Sequence, residues 1–392
     1  MANEAEDPLL QYATETQARH YRAYKEHGSF RAAARALGLN YSAVRSSVAL
    51  LEKKAARLGH APGHFENGVA PGYLMGKVTV HRDAAGAVVQ TWERQSPAEQ
   101  EREEYVRDFV AGLVDEMRGA LGPSATPTEA AMADLLAVYA FGDPHFGLRA
   151  LADEAGEDFD LAECDRLTRA GIDRLVASTP PAEHALLLNI GDNTHADNSK
   201  NQTPGHGNQV DVDGRHFNVV QVSARAWAYA IRRVLTKHER VTVWMVPGNH
   251  DPETSFAIAL ALSMLFESEP RVTVDLSPSL YRFMRFGKVL IGAHHGHGAK
   301  PGDLPLLMAV DRPKDWGESE FRYVWVGHIH HDTVKEVQGV RVESLRTLAA
   351  KDAWHAGKGY RSMRDTRVVV YHAEGGEEER HTCSVARLRK AA

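Results

Sequence analysis

Five short apolar runs in the latter part of this sequence each stop at a cluster of Asp, His, Asn and Gly, and no other feature constrains the fold as strongly. Leu135–Phe141 ends in Gly142-Asp143-Pro144-His145, and Ala185–Ile190 ends in Gly191-Asp192-Asn193-Thr194-His195. Val241–Val246 ends in Pro247-Gly248-Asn249-His250-Asp251 and Val289–Ala293 in His294-His295-Gly296-His297; Tyr323–Val326 ends in Gly327-His328-Ile329-His330. Short apolar runs alternating with amphipathic stretches read as strands and helices of an α/β fold. Ligands of such folds gather beyond the carboxyl ends of strands, where all five clusters fall.

The residue types point to metal chemistry. Asp143 and His145, two apart on a strand end, share a face. Carboxylates mixed with imidazoles suit Mn²⁺, Fe or Zn²⁺ better than Mg²⁺ or Ca²⁺, which favour all-oxygen shells. A carboxylate bridging two ions about 3.5–4 Å apart sets a shared hydroxide in line with phosphorus. Taken singly each motif is weak: a lone Asp-x-His is usually surface decoration, and Gly-Asn-His-Asp is often a capped turn. Five together at five strand ends are hard to attribute to coincidence. The sequence holds no Gly-x-Ser-x-Gly elbow, no Walker phosphate loop and no His-Glu-x-x-His helix that would supply another chemistry.

In this order, D-x-H, G-D, G-N-H-D, H and G-H-x-H over about Leu135–Asp332 resemble the calcineurin-like metallophosphoesterase superfamily. The resemblance implies an α/β four-layer sandwich, two packed β-sheets flanked by helices, and two divalent metal ions, Mn²⁺ foremost with Fe or Zn²⁺ as alternatives. It implies Asp143, His145 and His330 on the first metal, Asp192 bridging, and Asn249, a fourth-motif histidine and His328 on the second. His295 is favoured as that histidine because His295-Gly296-His297 matches the family's H-G-H; His294 is the alternative, and one residue flips the face of a strand. His250 would then be a non-ligand that meets the scissile phosphate, with Asp251 orienting it. Asp143-Pro144-His145-Phe146-Gly147 is similar to the opening of the SbcD-type nuclease subunit. The second motif, G-D-x-x-H, makes His195 a candidate catalytic residue, a loop histidine being the equal alternative. These likenesses favour a DNA-directed phosphodiesterase. The alternative is a DNA- or partner-binding regulator whose core acts on small phosphoesters or phosphoproteins. That nuclease family usually carries a capping domain and a partner ATPase; the short stretch after the fifth motif leaves little room for a cap, and an ATPase partner stays open.

The N-terminal region differs in character. Between Thr14 and Arg57 nine Lys and Arg residues face three Glu, although the whole chain carries a net charge of −6. Arg31–Leu37, the turn Gly38-Leu39-Asn40 and a second helix opening at Tyr41 or Ser42 form a helix-turn-helix signature, with Val44, Val48, Leu51 and Ala55 at helical spacing. "GSFRAAARALGLNYSAVRSSVALLE" resembles the helix-turn-helix of LysR-type regulators, which implies DNA as a partner and places Asn40, Tyr41, Ser42, Arg45 and Ser46 near bases or phosphates. A helical bundle for protein contacts is the alternative, and a homo-oligomer is open.

The expected organisation is a helix-turn-helix unit at 1–59, a middle segment at 60–134, and the phosphoesterase domain at 135–392. The middle segment would hold a hairpin (Tyr73–His81 with Ala87–Trp92), a charged helix from Pro97 to about Leu121 and a linker. Asn198–His216 lacks either period and is expected to form a loop over the crevice, where Lys200, His206 and Arg215 could meet substrate. Trp354, His355, Tyr360, Arg361 and Arg364 mix aromatic and basic character as single-strand binders do, though a structural turn is the commoner meaning. Two distant cysteines, Cys164 and Cys383, make no disulfide framework. With no apolar signal core, no run of membrane-spanning length and so no membrane partner, a cytoplasmic location is the expectation.

Overall fold

In the computed structural model, residues 7–58, 60, 69, 73–83, 88–97, 114, 117, 124–205 and 207–390 are described. They fall into two units, Met1–Phe109 and Val110–Ala392. The division lies inside the stretch 60–134 that the sequence sets apart.

In the first unit, all three helices begin at a side-chain cap and the first two end at a glycine. Thr14 and Gln17 form a reciprocal capping box at the start of α1 (Glu15–His27). Ser29 caps α2 (Phe30–Leu37), and Asn40 caps α3 (Tyr41–Arg57) through the Ser42 amide at 2.9 Å. Gly28 and Gly38 end α1 and α2 with φ of 70° and 66°, a conformation that costs glycine little. Val44, Val48, Leu51 and Ala55 are all fully buried, packing toward Leu9, Tyr21, Ala33 and Ala34. Strands β1 (Tyr73–Arg82) and β2 (Val88–Pro97) pair antiparallel. Pro97 therefore closes a strand and does not open a helix. Apart from Val114 and Met117, the helix expected after it lies outside the described residues, as does most of the turn between the strands.

The second unit holds two sheets. The six-stranded sheet runs β13-β12-β3-β4-β5-β6, built from β3 (Met132–Phe141), β4 (Ala182–Asn189), β5 (Arg240–Met245), β6 (Val272–Val274), β12 (Asp365–His372) and β13 (Gly376–Ser384). The five-stranded sheet runs β10-β11-β9-β8-β7, from β7 (Tyr281–Phe286), β8 (Val289–His294), β9 (Phe321–Val326), β10 (Thr333–Val337) and β11 (Val340–Ser344). Alternation along β3 explains how the sheets stack. Leu136, Val138 and Ala140 point inward to join Val289, Ile291, Ala293 and Trp325 of the other sheet. Leu135, Ala137, Tyr139 and Phe141 point outward against α4 (Leu161–Ser178), α5 (His216–Leu235) and α6 (Pro252–Leu265). The outer face of the second sheet, with Leu290, Val324 and Val326, packs on Leu304 and Met308 of α7 (Leu304–Asp311). The layers are thus helix, sheet, sheet, helix, as expected. Strands β3, β4 and β5 are mutually parallel, as are β8 and β9, and their carboxyl ends carry the five motifs. Among the described residues, no helix is long and apolar enough to cross a membrane.

Candidate metal centre

The backbone itself sets the motif residues apart. Asp143, His145, Asp192, His328 and His330 all have positive φ, between 43° and 72°, and the only other described non-glycine residues that do are Asn201 and Gln338. Each such conformation costs about 1–3 kcal/mol and persists only where the surroundings impose it. Here the chain turns sharply after β3, β4 and β9 so that these side chains can aim into one crevice.

The side chains converge in two groups. Ligand atoms of Asp143, His145 and His330 lie within 4.8 Å of one another, and so do those of Asp192, His295 and His328. In the first group, Nε2 of His145 stands 3.1 Å from Nε2 of His330, which is 3.6 Å from Asp143 Oδ1. In the second, His295 Nε2 lies 3.1 Å from both Asn249 Oδ1 and Asp192 Oδ2. Asp192 Oδ2 also lies 4.0 Å from His145 Nε2, so this carboxylate stands between the groups. Gly248 makes room for it: a Cβ there would overlap the Asp192 carboxylate and its backbone nitrogen. His145, His195 and His250 form a third convergent set, but it shares His145 and has no carboxylate.

The donor chemistry fits cations. His295 Nδ1 faces the Ile190 carbonyl at 2.9 Å, which accepts only, so Nδ1 carries the proton. Its Nε2 lone pair is then aimed at two acceptor oxygens, an arrangement that requires a cation or a second proton. Asp143 Oδ2, buried, has no hydrogen-bond partner at all. Without metal, burial pulls the His295 imidazole down but the facing Asp192 carboxylate more than offsets it, lifting the pKa to about 9. Burial pushes Asp192 up, yet His295, then His250 and His145, hold it well below the usual carboxylate range. His145 is pushed well below the usual histidine value, first by burial and then by His250 and His330.

All seven expected ligand residues thus meet at one place, and His295 enters the cluster where His294 does not. His294 instead stacks on Tyr281 (centroids 4.6 Å, 21° between planes), and its Nδ1 accepts the Gly296 amide at 3.0 Å. His295→Ala is expected to lower the bound metal by one ion per chain while His294→Ala retains both, as elemental analysis of dialysed protein would show. Equal losses would contradict this assignment.

One expected contact is not made. Asp251 does not orient His250. Its backbone sits at the N-cap of α6, so its carboxylate turns back to accept the Thr194 amide (2.9 Å), the Gly248 amide (3.2 Å) and the Ser255 hydroxyl (2.6 Å). Burial, followed by the Asp192 charge, raises its pKa to about 7. His250 is oriented by the His195 carbonyl, which accepts its Nδ1–H at 2.8 Å. His195 itself is buried, its Nδ1 lies 3.1 Å from His145 Nδ1, and its ring stacks on His250 (5.3 Å, 16°). Burial, with His250 next, lowers its pKa to about 3.

Beside the cluster lies a cavity of about 640 Å³ lined by Asp192, His195, His250, His328 and His330. The Asn198–His216 segment does form one wall, through Thr203, Asn208, Gln209, Val210 and Asp211. Lys200 and Arg215 do not line it, His206 lies outside the described residues, and His216 already begins α5. One further residue here belongs to no motif: Asp352, 8% exposed, reaches 4.0 Å from His195 Nε2 and accepts the His355 Nδ1–H at 2.7 Å.

No protein-family profile matches the sequence, and no curated protein resembles it closely enough to count as a relative. Among solved structures, a predicted phosphoesterase of Streptococcus pneumoniae is similar at 12% identity, over 65% of this chain and 99% of that one, with a TM-score of 0.25. An archaeal phosphodiesterase is similar at 12% identity over 64% and 99%, with a TM-score of 0.32. Vps29 of Entamoeba histolytica, in complex with Zn²⁺, is similar at 15% identity over 63% and 98%, with a TM-score of 0.26. Likeness at this level carries no argument about activity. What the chain does has to follow from the cluster itself.

Proposed function

We propose that this chain is a binuclear-metal phosphoesterase of the calcineurin-like type that hydrolyses phosphodiester bonds in DNA. The observation that carries the proposal is the convergence of seven side chains from five strand ends, with lone pairs aimed at common points and a buried, unpartnered carboxylate oxygen. Asp143, His145 and His330 would hold one ion and Asn249, His295 and His328 the other, with Asp192 shared. Ions bound there would lower the pKa of a water and neutralise phosphoryl oxygens, so no protein nucleophile would be needed.

The protein's own residues have distinct tasks. His250 lines the cavity and donates Nδ1–H to the His195 carbonyl, which leaves Nε2 to bind a phosphoryl oxygen and, when protonated, to pass a proton to the leaving oxygen. If His145 coordinates through Nε2, its Nδ1–H donates to His195 Nδ1, so His195 carries its proton on Nε2, toward Asp352. In this account His195 positions both His145, by its ring, and His250, by its carbonyl. Asp251 holds the Gly248 and Thr194 amides that shape the loop.

DNA as substrate is supported by the N-terminal unit, where Arg31, Arg35, Tyr41, Ser42, Arg45 and Ser46 are exposed along α2 and α3. If these meet phosphates, Arg45→Ala in the full chain should weaken DNA binding evenly across sequences and reduce the slope of log affinity against log salt by about 1. An unchanged slope would remove Arg45 from the interface.

The substrate test is a panel with Mn²⁺: bis-p-nitrophenyl phosphate, single- and double-stranded DNA, and a phosphoprotein. Cleavage of DNA that vanishes with chelator supports the proposal. Hydrolysis of the small diester with all DNA intact would instead favour a DNA- or partner-binding regulator whose core serves small phosphoesters.

A further inference from the structure

Part of the cavity wall is aromatic. Trp354 and Tyr360 are 59% and 39% exposed, with ring centroids 6.0 Å apart and planes tilted by 33°. His355 stands edge-on to both, at 4.9 Å and 5.1 Å, and stacks on His330 of the metal cluster at 5.3 Å and 22°. The shelf is therefore continuous with the metal centre. It is also held in place: buried Asp352 caps the short helix Ala353–Gly357 through the His355 amide at 2.8 Å and the ring at 2.7 Å. A large aromatic pair kept exposed on an anchored element beside a reaction site is a surface ready to stack a flat group.

Charge narrows the choice of group. Among the described residues lining the 640 Å³ cavity there is no lysine or arginine, while Asp192, Asp211 and Asp352 are present. A polyphosphate or a run of duplex backbone finds no countercharge there beyond the metals. The same cavity is lined by the neutral hydrogen-bonding side chains of Thr203, Asn208 and Gln209, of which Thr203 Oγ1 also accepts the Asn208 amide and Gln209 Nε2 also donates to the Lys200 carbonyl. Their segment is held by its own bonds, Thr203 N–H to Asn208 O at 2.9 Å and Val210 N–H to Asn201 O at 2.9 Å. The positive charge lies next door. A second cavity of about 140 Å³ shares His330, His355 and Tyr360 and adds three cations, Lys351, Arg361 and Arg364, against one acid, Glu157. Arg364 is held by Glu157 at 2.6 Å, whereas Lys351 has no ion-pair partner among the described residues. One compartment suits a flat neutral group with a hydrogen-bonding edge, and the other suits a phosphate.

We propose that Trp354 and Tyr360 form a subsite for an unpaired nucleobase beside the scissile phosphodiester, with Lys351 and Arg361 meeting the next phosphate, so that the enzyme selects single-stranded nucleic acid. A base paired in a duplex would first have to be unstacked and flipped out to reach the shelf. The inference rests on the phosphoesterase proposal and deepens it by naming the substrate class.

The test compares two single-stranded DNA oligonucleotides with Mn²⁺, one with ordinary bases and one with abasic nucleotides flanking each bond. The unaltered protein should cleave the base-containing strand roughly 5- to 150-fold faster in kcat/KM, the range one base–aromatic stack provides. Trp354→Ala and Tyr360→Ala should bring that strand down toward the abasic rate. Variants that slow both strands by one factor, or neither, would overturn the subsite, as would a duplex cleaved as fast as the single strand. Binding gives a readout free of catalysis: 2-aminopurine set between abasic sites should be quenched saturably by the unaltered protein and not by Trp354→Ala. No quenching in the unaltered protein would overturn the subsite even if bis-p-nitrophenyl phosphate is hydrolysed. Quenching without hydrolysis of any diester would overturn the phosphoesterase proposal and leave a nucleobase-binding site.

Discussion

Gly248→Ala is expected to silence hydrolysis as thoroughly as Asp192→Ala, although glycine offers no chemistry. Its added Cβ would fall on the Asp192 carboxylate and on the backbone nitrogen of the same residue. A flexible side-chain tip could move aside, but a backbone nitrogen at a positive-φ turn cannot. Asp192 is also fixed by the His250 amide, which donates to its Oδ1 at 2.8 Å, so displacing the carboxylate displaces His250 as well. Metal centres contribute several kcal/mol of charge stabilisation, and about 1.4 kcal/mol is a factor of ten, so the loss in kcat/KM should be roughly 10³-fold or more. The thermal transition should shift far less, because Gly248 lies in the loop after β5 and outside the buried apolar clusters. Kinetics with bis-p-nitrophenyl phosphate alongside a melting curve would check both; a variant with normal activity would refute the close approach.

The largest effect on stability should come from Glu343→Ala. Glu343 lies on β11, 2% exposed, and accepts from Arg367 Nη1 at 2.6 Å, Arg380 Nη2 at 2.9 Å and Arg341 Nε at 3.1 Å. Arg367 and Arg380 belong to β12 and β13 of the other sheet, so this carboxylate ties the two sheets together. Arg367 is itself 3% exposed. Removing one partner of a buried ion pair typically costs about 3–5 kcal/mol because the other charge is left uncompensated. Arg367 keeps Asp365 at 3.1 Å and Asp332 at 3.2 Å, which places the expected loss in the lower part of that range. For a unit of this size that corresponds to a melting temperature roughly 6–12 °C lower. A shift within 2 °C would mean the network contributes little.

Both effects show which parts of the molecule could be read in the sequence. The strands and motifs could, because each is local: Leu136, Val138 and Ala140 alternate with Ala137, Tyr139 and Phe141, and each ligand follows directly on its run. The sequence favours His295 over His294 through the His295-Gly296-His297 likeness, but the choice turns on the register of one strand end, which only the fold fixes. What spacing could not reveal depends on contacts between distant residues. Asp251 follows His250 in sequence, yet the helix that starts there swings its carboxylate away to Thr194. Lys200 and Arg215 flank a loop whose inner wall is made by Thr203, Asn208 and Gln209. Asp352 and Glu343 look like ordinary surface acids until the fold brings His195 and three arginines to them. Trp354 and Tyr360 were visible as a mixed aromatic stretch, but only the fold sets them beside the metal cluster.

The most direct test of the account is the number of Mn²⁺ ions bound per chain at equilibrium, measured by dialysis and elemental analysis for the unaltered protein and Asp192→Ala. Two ions are expected in the first and at most one in the second. An unaltered protein that binds none, or an Asp192→Ala protein that still binds two, would contradict it.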